Sequence, residues 1–304
     1  MEMKVKIAMG QLSALPSKED NLKKAAAQID EAAAKGAKLI CFPEVGFTPF
    51  FPAYNHDVSK FDSAEPIPGP TSDFLCKKAK EKSIVVVASY LEEGYVGEYY
   101  DSAICIDADG TLLGVTRMVH TFEQDGYNEK FYYGPGHTLY PVYETAAGVV
   151  GISICYDAWI PEAVRALALK GADLIVVPTC EVVSVGLPPS DHVGGTSYEA
   201  VCTMQKANAI CNGVWVGVSN RVGDEGVDGI EYVGSSFIVD PWGHIQAMAN
   251  DKTDEVLVSE IDLNVTRTVR QLWPMLRDRV PETYESLLEN YGSEPYYHSD
   301  RVKL

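Results

Sequence analysis

Short apolar runs alternate with stretches of helical spacing along the 304-residue chain, and this alternation limits its fold more than any other feature. Runs rich in Val and Ile predict buried strands, and Ala-rich stretches with apolar residues three and four apart predict helices. Asp109-Gly110 predicts a hairpin turn. This order predicts a mixed α/β sheet structure with helices outside. The predicted strands are 4–9, 38–42, 84–90, 99–107, 111–117, 149–155, 173–177, 214–219, 235–239 and 255–261, and the predicted helices are 21–34, 71–82, 161–170 and 192–212.

The charge balance and the cysteines narrow the class of protein. The chain has 25 Lys and Arg against 43 Asp and Glu, a net charge of −18, which argues against nucleic-acid binding and against docking on anionic membranes. No apolar run is long enough for a signal peptide or a membrane span. Seven cysteines without a CxxC pair indicate reduced thiols in a cytoplasmic protein. Six histidines without HxH or HExxH spacing predict no metal site.

Two side chains at predicted strand ends are candidates for chemistry. Cys155 ends the run 149–155, just before the helix that Pro161 opens, where the helix N-terminus favours a thiolate. Glu44 follows the predicted strand 38–42 and would be a general base for the thiol if the two lie side by side. Each also has an ordinary explanation. Cys155 would be a small buried hydrophobe, and Glu44 a solvated loop residue.

A set of motifs in constant order resembles the nitrilase (carbon–nitrogen hydrolase) superfamily. FPE at 42–44 pairs with GISICYDAWIPEAVR at 151–165, and the likeness runs from about residue 4 to residue 285. It is strongest to the N-carbamoylputrescine amidase and β-ureidopropionase-like branch. We therefore expect one domain over residues 1–285, followed by a C-terminal tail, 286–304. The other matching segments are 114–136, 171–179, 217–223, 234–243, 260–263 and 272–284.

The resemblance implies a four-layer αββα sandwich with a Glu–Lys–Cys triad and no cofactor. It makes Glu44 the general base and Cys155 the nucleophile. Glu129 matches a second glutamate that positions the substrate and the triad, although a salt-bridge role fits its surroundings equally well. The resemblance also implies a homodimer or a larger assembly, formed through a two-fold interface that extends the sandwich. The aromatic tail after residue 272 is a candidate contributor to that interface.

The lysine of this triad is absent from the sequence. The family segment reads Tyr-Arg-Lys-x-His, whereas this chain has Met118 between Arg117 and His120. When the Arg and the His are aligned without a gap, Met118 stands at the position of the lysine. Loss of one oxyanion donor costs roughly 100- to 1,000-fold in rate, about 3–4 kcal/mol. Three explanations stay open. Met118 is a natural change that alters or removes hydrolysis, another cation such as Arg117 or Lys130 replaces the lysine, or the residue was introduced to trap a complex.

Several residues near the two motifs are candidates for contact with the substrate. The backbone N–H of Tyr156 is a candidate oxyanion donor, and Asp157 and Trp159 are expected to shape the pocket wall. Cys180 lines the pocket or only fills space beside it. Glu181 would suit a cationic tail such as that of a carbamoylated polyamine, although the net charge makes acidic loops common in this chain.

The sequence thus predicts a hydrolase of non-peptide C–N bonds. Its expected substrate is a small molecule, an N-carbamoyl compound or a small amide, cleaved through a cysteine thioester. One alternative, prompted by Met118, is a catalytically impaired family member that binds a small molecule. Another is a nitrile-hydrolysing enzyme, because the same thiolate can attack a nitrile carbon. Arg221 is expected to have a structural role rather than to hold a substrate carboxylate.

Overall fold

A computed structural model describes residues 3–124, 126–182, 197–227 and 230–289 of the chain. Sixteen strands and six helices occur within these ranges. The helices are α1 (Lys18–Ala34), α2 (Pro70–Lys82), α3 (Glu129–Tyr132), α4 (Pro161–Leu169), α5 (Ser197–Asn212) and α6 (Asn264–Leu272). The strands are β1 (Lys4–Gln11), β2 (Leu39–Cys41), β3 (Val85–Tyr95), β4 (Glu98–Ile106), β5 (Leu112–Arg117), β6 (Glu123–Gln124), β7 (Tyr127–Asn128), β8 (Val142–Thr145), β9 (Gly148–Ile152), β10 (Leu174–Thr179), β11 (Trp215–Asn220), β12 (Val222–Asp224), β13 (Glu231–Val233), β14 (Phe237–Val239), β15 (Ile245–Met248) and β16 (Glu255–Asp262).

Twelve of the strands form two six-stranded sheets. The first has the order β16-β1-β2-β3-β4-β5 and the second the order β15-β14-β11-β10-β9-β8. At the centre of the first sheet, β1, β2 and β3 are parallel, and at the centre of the second, β9, β10 and β11 are parallel. Parallel strands direct their carboxyl ends to one edge, so loops from both halves of the chain can meet there.

Alternating side chains divide the core into three apolar layers. In β1, Ile7 and Met9 belong to the cluster between the two sheets, whereas Ala8 packs with residues of α1 and α2. In β10, Val176 faces the other sheet, whereas Val177 packs with α4 and α5. Because successive strand residues point to opposite faces, this pattern requires a helical layer outside each sheet. The expected αββα sandwich is therefore confirmed.

Most of the predicted elements are present, with shifts of a few residues at their ends. The predicted strand 149–155 stops at Ile152, and Cys155 instead begins a 3-10 turn, Cys155–Trp159. For the predicted helix 192–212 the structure describes α5 from Ser197, and residues 192–196 lie outside the described residues.

The region after β16 contributes a helix that the sequence pattern did not reveal. Arg270 of α6 donates hydrogen bonds to the carbonyls of Asn212 and Ala172 at 3.2 and 2.9 Å. This helix therefore packs against the second sheet and its helices. Residues 290–304 of the expected tail lie outside the described residues. Over the part of the chain that is described, no helix is long and apolar enough to cross a membrane.

Candidate active site

The candidate residues gather at the carboxyl ends of three parallel strands. Glu44 lies three residues beyond β2, Cys155 lies three residues beyond β9, and Cys180 directly follows β10. One ligand atom from each of these three side chains lies within 4.8 Å of the others. The fold therefore brings together residues that are more than a hundred positions apart in the sequence.

Cys155 is held in an unusual backbone conformation at the start of its turn. Its φ is +40°, in the left-handed region, which costs a non-glycine residue about 1–3 kcal/mol. The Oγ1 of Thr179 donates a hydrogen bond to the Sγ of Cys155 at 3.3 Å. The Sγ of Cys180 lies 4.0 Å from the same sulfur. Cys155 is buried but keeps 8% of its surface exposed.

Glu44 presents a fully buried carboxyl group to this site. No hydrogen-bond donor group of the described residues reaches its carboxylate oxygens, and the acidic side chain within hydrogen-bond range is Asp101, so a proton must be shared between the two. Its backbone N–H donates to the carbonyl of Thr179 at 3.4 Å, and its carbonyl accepts from the Nε of Arg221 at 3.0 Å. Burial raises the pKa of Glu44 well above its usual range, and the nearby Cys155 and Asp101 raise it further. A carboxyl group in this state can hold a proton at neutral pH and release it when a cation approaches.

Glu129 is the second buried glutamate of the site. It begins α3, and its Oε2 accepts a hydrogen bond from the N–H of Phe122 at 2.7 Å. Its Oε1 has no hydrogen-bond partner within the described ranges. Burial raises its pKa well above the usual value, and the charge of Cys155 is the next cause. Its recorded partner is thus a backbone N–H rather than a cation, which favours the positioning role over the salt-bridge role.

Met118 follows β5 and is buried in the apolar cluster between the two sheets. Its N–H donates to the carbonyl of Asp101 at 2.9 Å. The next two residues bind the carboxylate of Asp157, because Val119 and His120 each donate a backbone N–H at 3.0 Å and His120 adds its Nδ1 at 2.6 Å. Asp157 therefore links the segment after Met118 to the turn of the nucleophile. Burial also raises the pKa of Asp101 to about 6.

Neither of the two cations considered as substitutes for the lysine reaches this position. The guanidinium of Arg117 binds both carboxylate oxygens of Glu92, at 2.6 and 2.7 Å, and lies over the ring of Tyr100. The side chain of Lys130 is exposed. The structure thus does not support the explanation in which Arg117 or Lys130 replaces the lysine.

The other predicted pocket residues form one wall. The ring of Tyr156 lies 4.9 Å from the ring of Phe122, measured between centroids. The Nε1 of Trp159 donates to the Oε1 of Glu181 at 3.4 Å, and the hydroxyl of Thr179 lies 3.5 Å from the same oxygen. Burial raises the pKa of Glu181 to about 7. Glu181 is thus an acidic group close to the nucleophile. Because its pKa lies near neutral pH, the charge of a bound substrate cation would favour its ionised form.

Sequence analysis missed two residues that take part in this arrangement. Asp101 lies within β4 and couples electrostatically to Glu44, and Thr179 ends β10 and contacts both Glu44 and Cys155. A polar residue at the carboxyl end of a parallel strand is a recognisable signal for Thr179. An acidic residue inside an otherwise apolar strand is the corresponding signal for Asp101.

The arrangement combines a thiol with a buried acid–base group. Glu44 can accept a proton from the thiol and return it to a leaving group, which is the combination that acyl transfer requires. Glu129 has one oxygen free to accept a hydrogen bond from a substrate N–H. The site is therefore suited to attack on a small carbonyl compound with an amine or ammonia as leaving group.

Comparison with known proteins gives a consistent result. A model of the carbon–nitrogen hydrolase family matches residues 6–271. The chain is 38% identical over 272 residues to N-carbamoylputrescine amidase of Arabidopsis thaliana, covering 87% of this chain and 89% of that protein. It is 35% identical to citrullinase of Francisella tularensis, over 94% of this chain and 99% of that one.

A solved structure matches the whole architecture. The crystal structure of a carbon–nitrogen hydrolase from Helicobacter pylori G27 superposes with a TM-score of 0.87 and 32% sequence identity. The match covers 95% of this chain and 99% of that chain. The shared fold thus extends over nearly the whole length of both chains.

Proposed function

The chain belongs to the carbon–nitrogen hydrolase family and is a hydrolase of non-peptide C–N bonds, and we propose that Cys155 is its nucleophile and Glu44 its general base. The observation that carries this proposal is the contact of two groups at the strand ends. The sulfur of Cys155 and a carboxyl oxygen of Glu44, which no donor group of the described residues reaches, lie within 4.8 Å of each other.

The proposed reaction has two halves. Glu44 takes the proton of the Cys155 thiol, and the sulfur attacks the carbonyl carbon of the substrate to form a C–S bond. The C–N bond then breaks, and Glu44 passes the proton to the departing ammonia or amine. In the second half Glu44 takes a proton from water, the hydroxide attacks the thioester, the C–S bond breaks, and Glu44 returns the proton to the sulfur of Cys155. The backbone N–H of Tyr156 is the proposed donor to the oxyanion.

An N-carbamoyl compound is the proposed substrate class. Its ureido carbon is attacked as above, and the final products are an amine, carbon dioxide and ammonia. The relatives named N-carbamoylputrescine amidase and citrullinase support this choice. Glu181 supports a cationic substrate tail, because its carboxyl group lies 3.5 Å from the hydroxyl of Thr179, which also contacts the sulfur of Cys155.

The substrate proposal is tested with a matched pair of compounds. N-carbamoylputrescine carries an ammonium at its far end, and butylurea has the same carbon chain without it. We expect the ratio of their kcat/KM values to fall about 10- to 100-fold in Glu181→Gln, since a hydrogen bond to a charged group contributes about 1.5–3 kcal/mol. An unchanged ratio would show that Glu181 does not take part in substrate recognition.

The mechanism is tested by mass spectrometry and by ammonia release. We expect wild-type protein to release ammonia from at least one member of a panel of carbamoyl compounds, amides and nitriles. Cys155→Ala should release none, and the Glu44→Gln protein should release little or no ammonia and form no thioester on Cys155, because Glu44 moves the proton in both halves of the reaction. If Cys155→Ala retains the wild-type rate, the proposed nucleophile is wrong.

A catalytically impaired family member that binds a small molecule is the second candidate function. Met118 favours it, because a buried methionine supplies no charge and no donor at the position of the expected lysine. This candidate predicts that the panel gives no ammonia with the wild-type chain while the Met118→Lys protein turns over. Ammonia release by the wild type would exclude it.

We also propose that the chain forms a homodimer or a larger homo-oligomer through its C-terminal region. Five large apolar side chains of the described residues are exposed there, with 66% for Leu272, 61% for Trp273, 44% for Val280, 60% for Leu287 and 89% for Leu288. Exposed apolar groups that lie together are typical of an interface. Sedimentation velocity should give a dimer or a larger species at micromolar concentration, and Leu272→Glu with Trp273→Glu should shift it to monomer. A wild-type monomer would contradict this proposal.

A further inference from the structure

Glu44, Cys155 and Cys180 form a compact cluster of metal-binding side chains. All three are buried, and one ligand atom of each lies within 4.8 Å of the other two. The sequence indicated no metal site because the cysteines and histidines lack ligand spacing. The cluster arises instead from the fold, which joins the ends of β2, β9 and β10.

The distances suit a tetrahedral divalent cation. Two sulfurs each about 2.3 Å from a tetrahedral Zn²⁺ lie about 3.8 Å apart. The sulfurs of Cys155 and Cys180 lie 4.0 Å apart. A shift of a few tenths of an ångström would therefore place both on one ion. A carboxylate oxygen of Glu44 supplies the third ligand, and a water molecule can complete the coordination.

A second observation points to a ligand in this cluster. Both oxygens of the Glu44 carboxyl group are buried with no donor group of the described residues directed at them, and their neighbour within hydrogen-bond range is a second acid, Asp101. A buried polar group without a partner costs about 1–3 kcal/mol, so occupation of this group by a cation would recover that energy. The neighbouring acidic groups Glu129 and Asp101 further favour positive charge here, since both couple to Glu44.

Within the described parts of the chain, no cation is recorded on the carboxyl group of Glu44. Arg221 is the buried cation next to Glu44, and its guanidinium already pairs with Glu225 and with backbone carbonyls of residues 44, 45 and 48. Met118 carries no charge. Two thiolates and a carboxylate form a ligand set that selects a thiophilic ion over Mg²⁺ or Ca²⁺.

We propose that Glu44, Cys155 and Cys180 bind one thiophilic divalent cation of the Zn²⁺ class and that this ion inhibits hydrolysis. Each of the two thiols and the carboxyl group loses any proton it carries when the ion binds. The ion is then bound by the sulfur that would attack the substrate and by the carboxylate that would accept the proton, so neither group can react. The inhibitory part rests on the proposed function, whereas the binding part does not.

Binding is tested on the full chain with Zn²⁺ by calorimetry and with Co²⁺ by visible absorption. We expect one ion per chain and the absorption of tetrahedral Co²⁺ with thiolate ligands. Loss of a residue that only supports a metal ligand typically lowers metal affinity about 10- to 100-fold. Since Cys180 is a proposed ligand itself, Cys180→Ala should weaken binding by at least this factor. Cys211→Ala is the matched control, because this thiol is exposed and lies outside the cluster. Equal affinity in wild type and Cys180→Ala, or no binding to the wild type, would overturn the proposal.

Inhibition is tested on chain first freed of metal by a chelator. One equivalent of Zn²⁺ should abolish ammonia release, and added chelator should restore it. Full activity of the metal-loaded chain would overturn the inhibitory part. If the metal-free chain releases no ammonia from any compound, the proposed function fails, while the calorimetry still decides whether the site exists.

Discussion

The hydroxyl of Thr179 donates a hydrogen bond to the sulfur of Cys155 at 3.3 Å. The backbone carbonyl of the same threonine accepts the N–H of Glu44 at 3.4 Å. One residue at the end of β10 therefore contacts both the proposed nucleophile and the proposed base. Its side chain acts on the sulfur, and its backbone fixes the loop that carries the carboxyl group.

Removal of this hydroxyl should slow the reaction. In Thr179→Val the sulfur loses a donor that stabilises its negative charge, a contribution of about 1.5–3 kcal/mol. We expect kcat/KM to fall about 10- to 100-fold and the rate of alkylation of Cys155 by iodoacetamide to fall with it. Steady-state kinetics and mass spectrometry of the alkylated peptide measure the two effects.

Thr179→Ser is the matched control, because it keeps the hydroxyl and removes only a methyl group. It should retain most of the wild-type alkylation rate. If Val and Ser lower this rate equally, the effect comes from packing at the end of β10 and the hydrogen bond has no role of its own.

Substitution of Met118 by lysine should raise activity and change its pH dependence. An ammonium beside the buried acidic groups favours the carboxylate form of Glu44, so the pKa of Glu44, now raised by burial, should fall. The acidic limb of the kcat/KM profile should then move to lower pH. We expect an increase of roughly 100- to 1,000-fold at neutral pH, the usual value of one oxyanion donor.

The control for this experiment is Met118→Leu, which keeps an uncharged side chain of similar volume. It should leave both the rate and the position of the acidic limb near the wild-type values. If lysine leaves the limb where it is and gives no gain in rate while the protein stays folded by circular dichroism, position 118 does not act on Glu44.

Glu181 should make the stability of the protein depend on pH. Burial raises the pKa of Glu181 to about 7, above the value of about 4.3 for glutamate in an unfolded chain. Between these two pH values the folded chain binds more protons at Glu181 than the unfolded chain does. The stability that this group contributes is therefore fully present below about pH 4.3 and is lost as the pH rises through about 7. Glu181→Gln should therefore gain stability over wild type with rising pH, by about 2–4 kcal/mol at pH 8. Urea unfolding at pH 5 and pH 8 measures the difference.

Glu123→Gln serves as the control for this prediction, because the side chain of Glu123 is exposed. Its difference from wild type should stay the same at both pH values. Parallel pH dependence of wild type and Glu181→Gln would show that Glu181 is ionised in the folded state throughout this range.

The central strands of both sheets could be predicted because runs of Val and Ile are stable only when they are buried. The elements that were missed have weaker patterns. Helix α6 is largely polar and buries only Thr266 and Val269, so its apolar stripe is too narrow to stand out. The predicted strand ending at Cys155 was too long because Ile154 and Cys155 are also apolar and the left-handed turn leaves no signal in the sequence.

The sequence predicted the two principal residues of the site but only part of their surroundings. Glu44 and Cys155 stand at strand ends, where ligands bind in this class of sheet, and both motifs carry the family resemblance. The contact of Cys180 with Cys155 depends on the direction of a side chain beyond β10. The coupling of Asp101 to Glu44 depends on how β4 pairs within the first sheet. Tertiary packing sets both, and local sequence does not encode them.

Arg221 should be essential for stability because it is a buried cation that holds the segment after β2. Its guanidinium pairs with Glu225 and donates to the backbone carbonyl of Glu44 at 3.0 Å, next to Val45, which has a left-handed φ of +45°. Arg221→Leu leaves the carboxylate of Glu225 buried without its cation, and loss of one partner of a buried pair costs about 3–5 kcal/mol. Urea unfolding should show this loss, whereas Arg277→Leu, which breaks an exposed pair, should cost less than about 1 kcal/mol. A loss below about 1 kcal/mol for Arg221→Leu would mean that solvent reaches Glu225 and that the segment around Glu44 is held by other contacts.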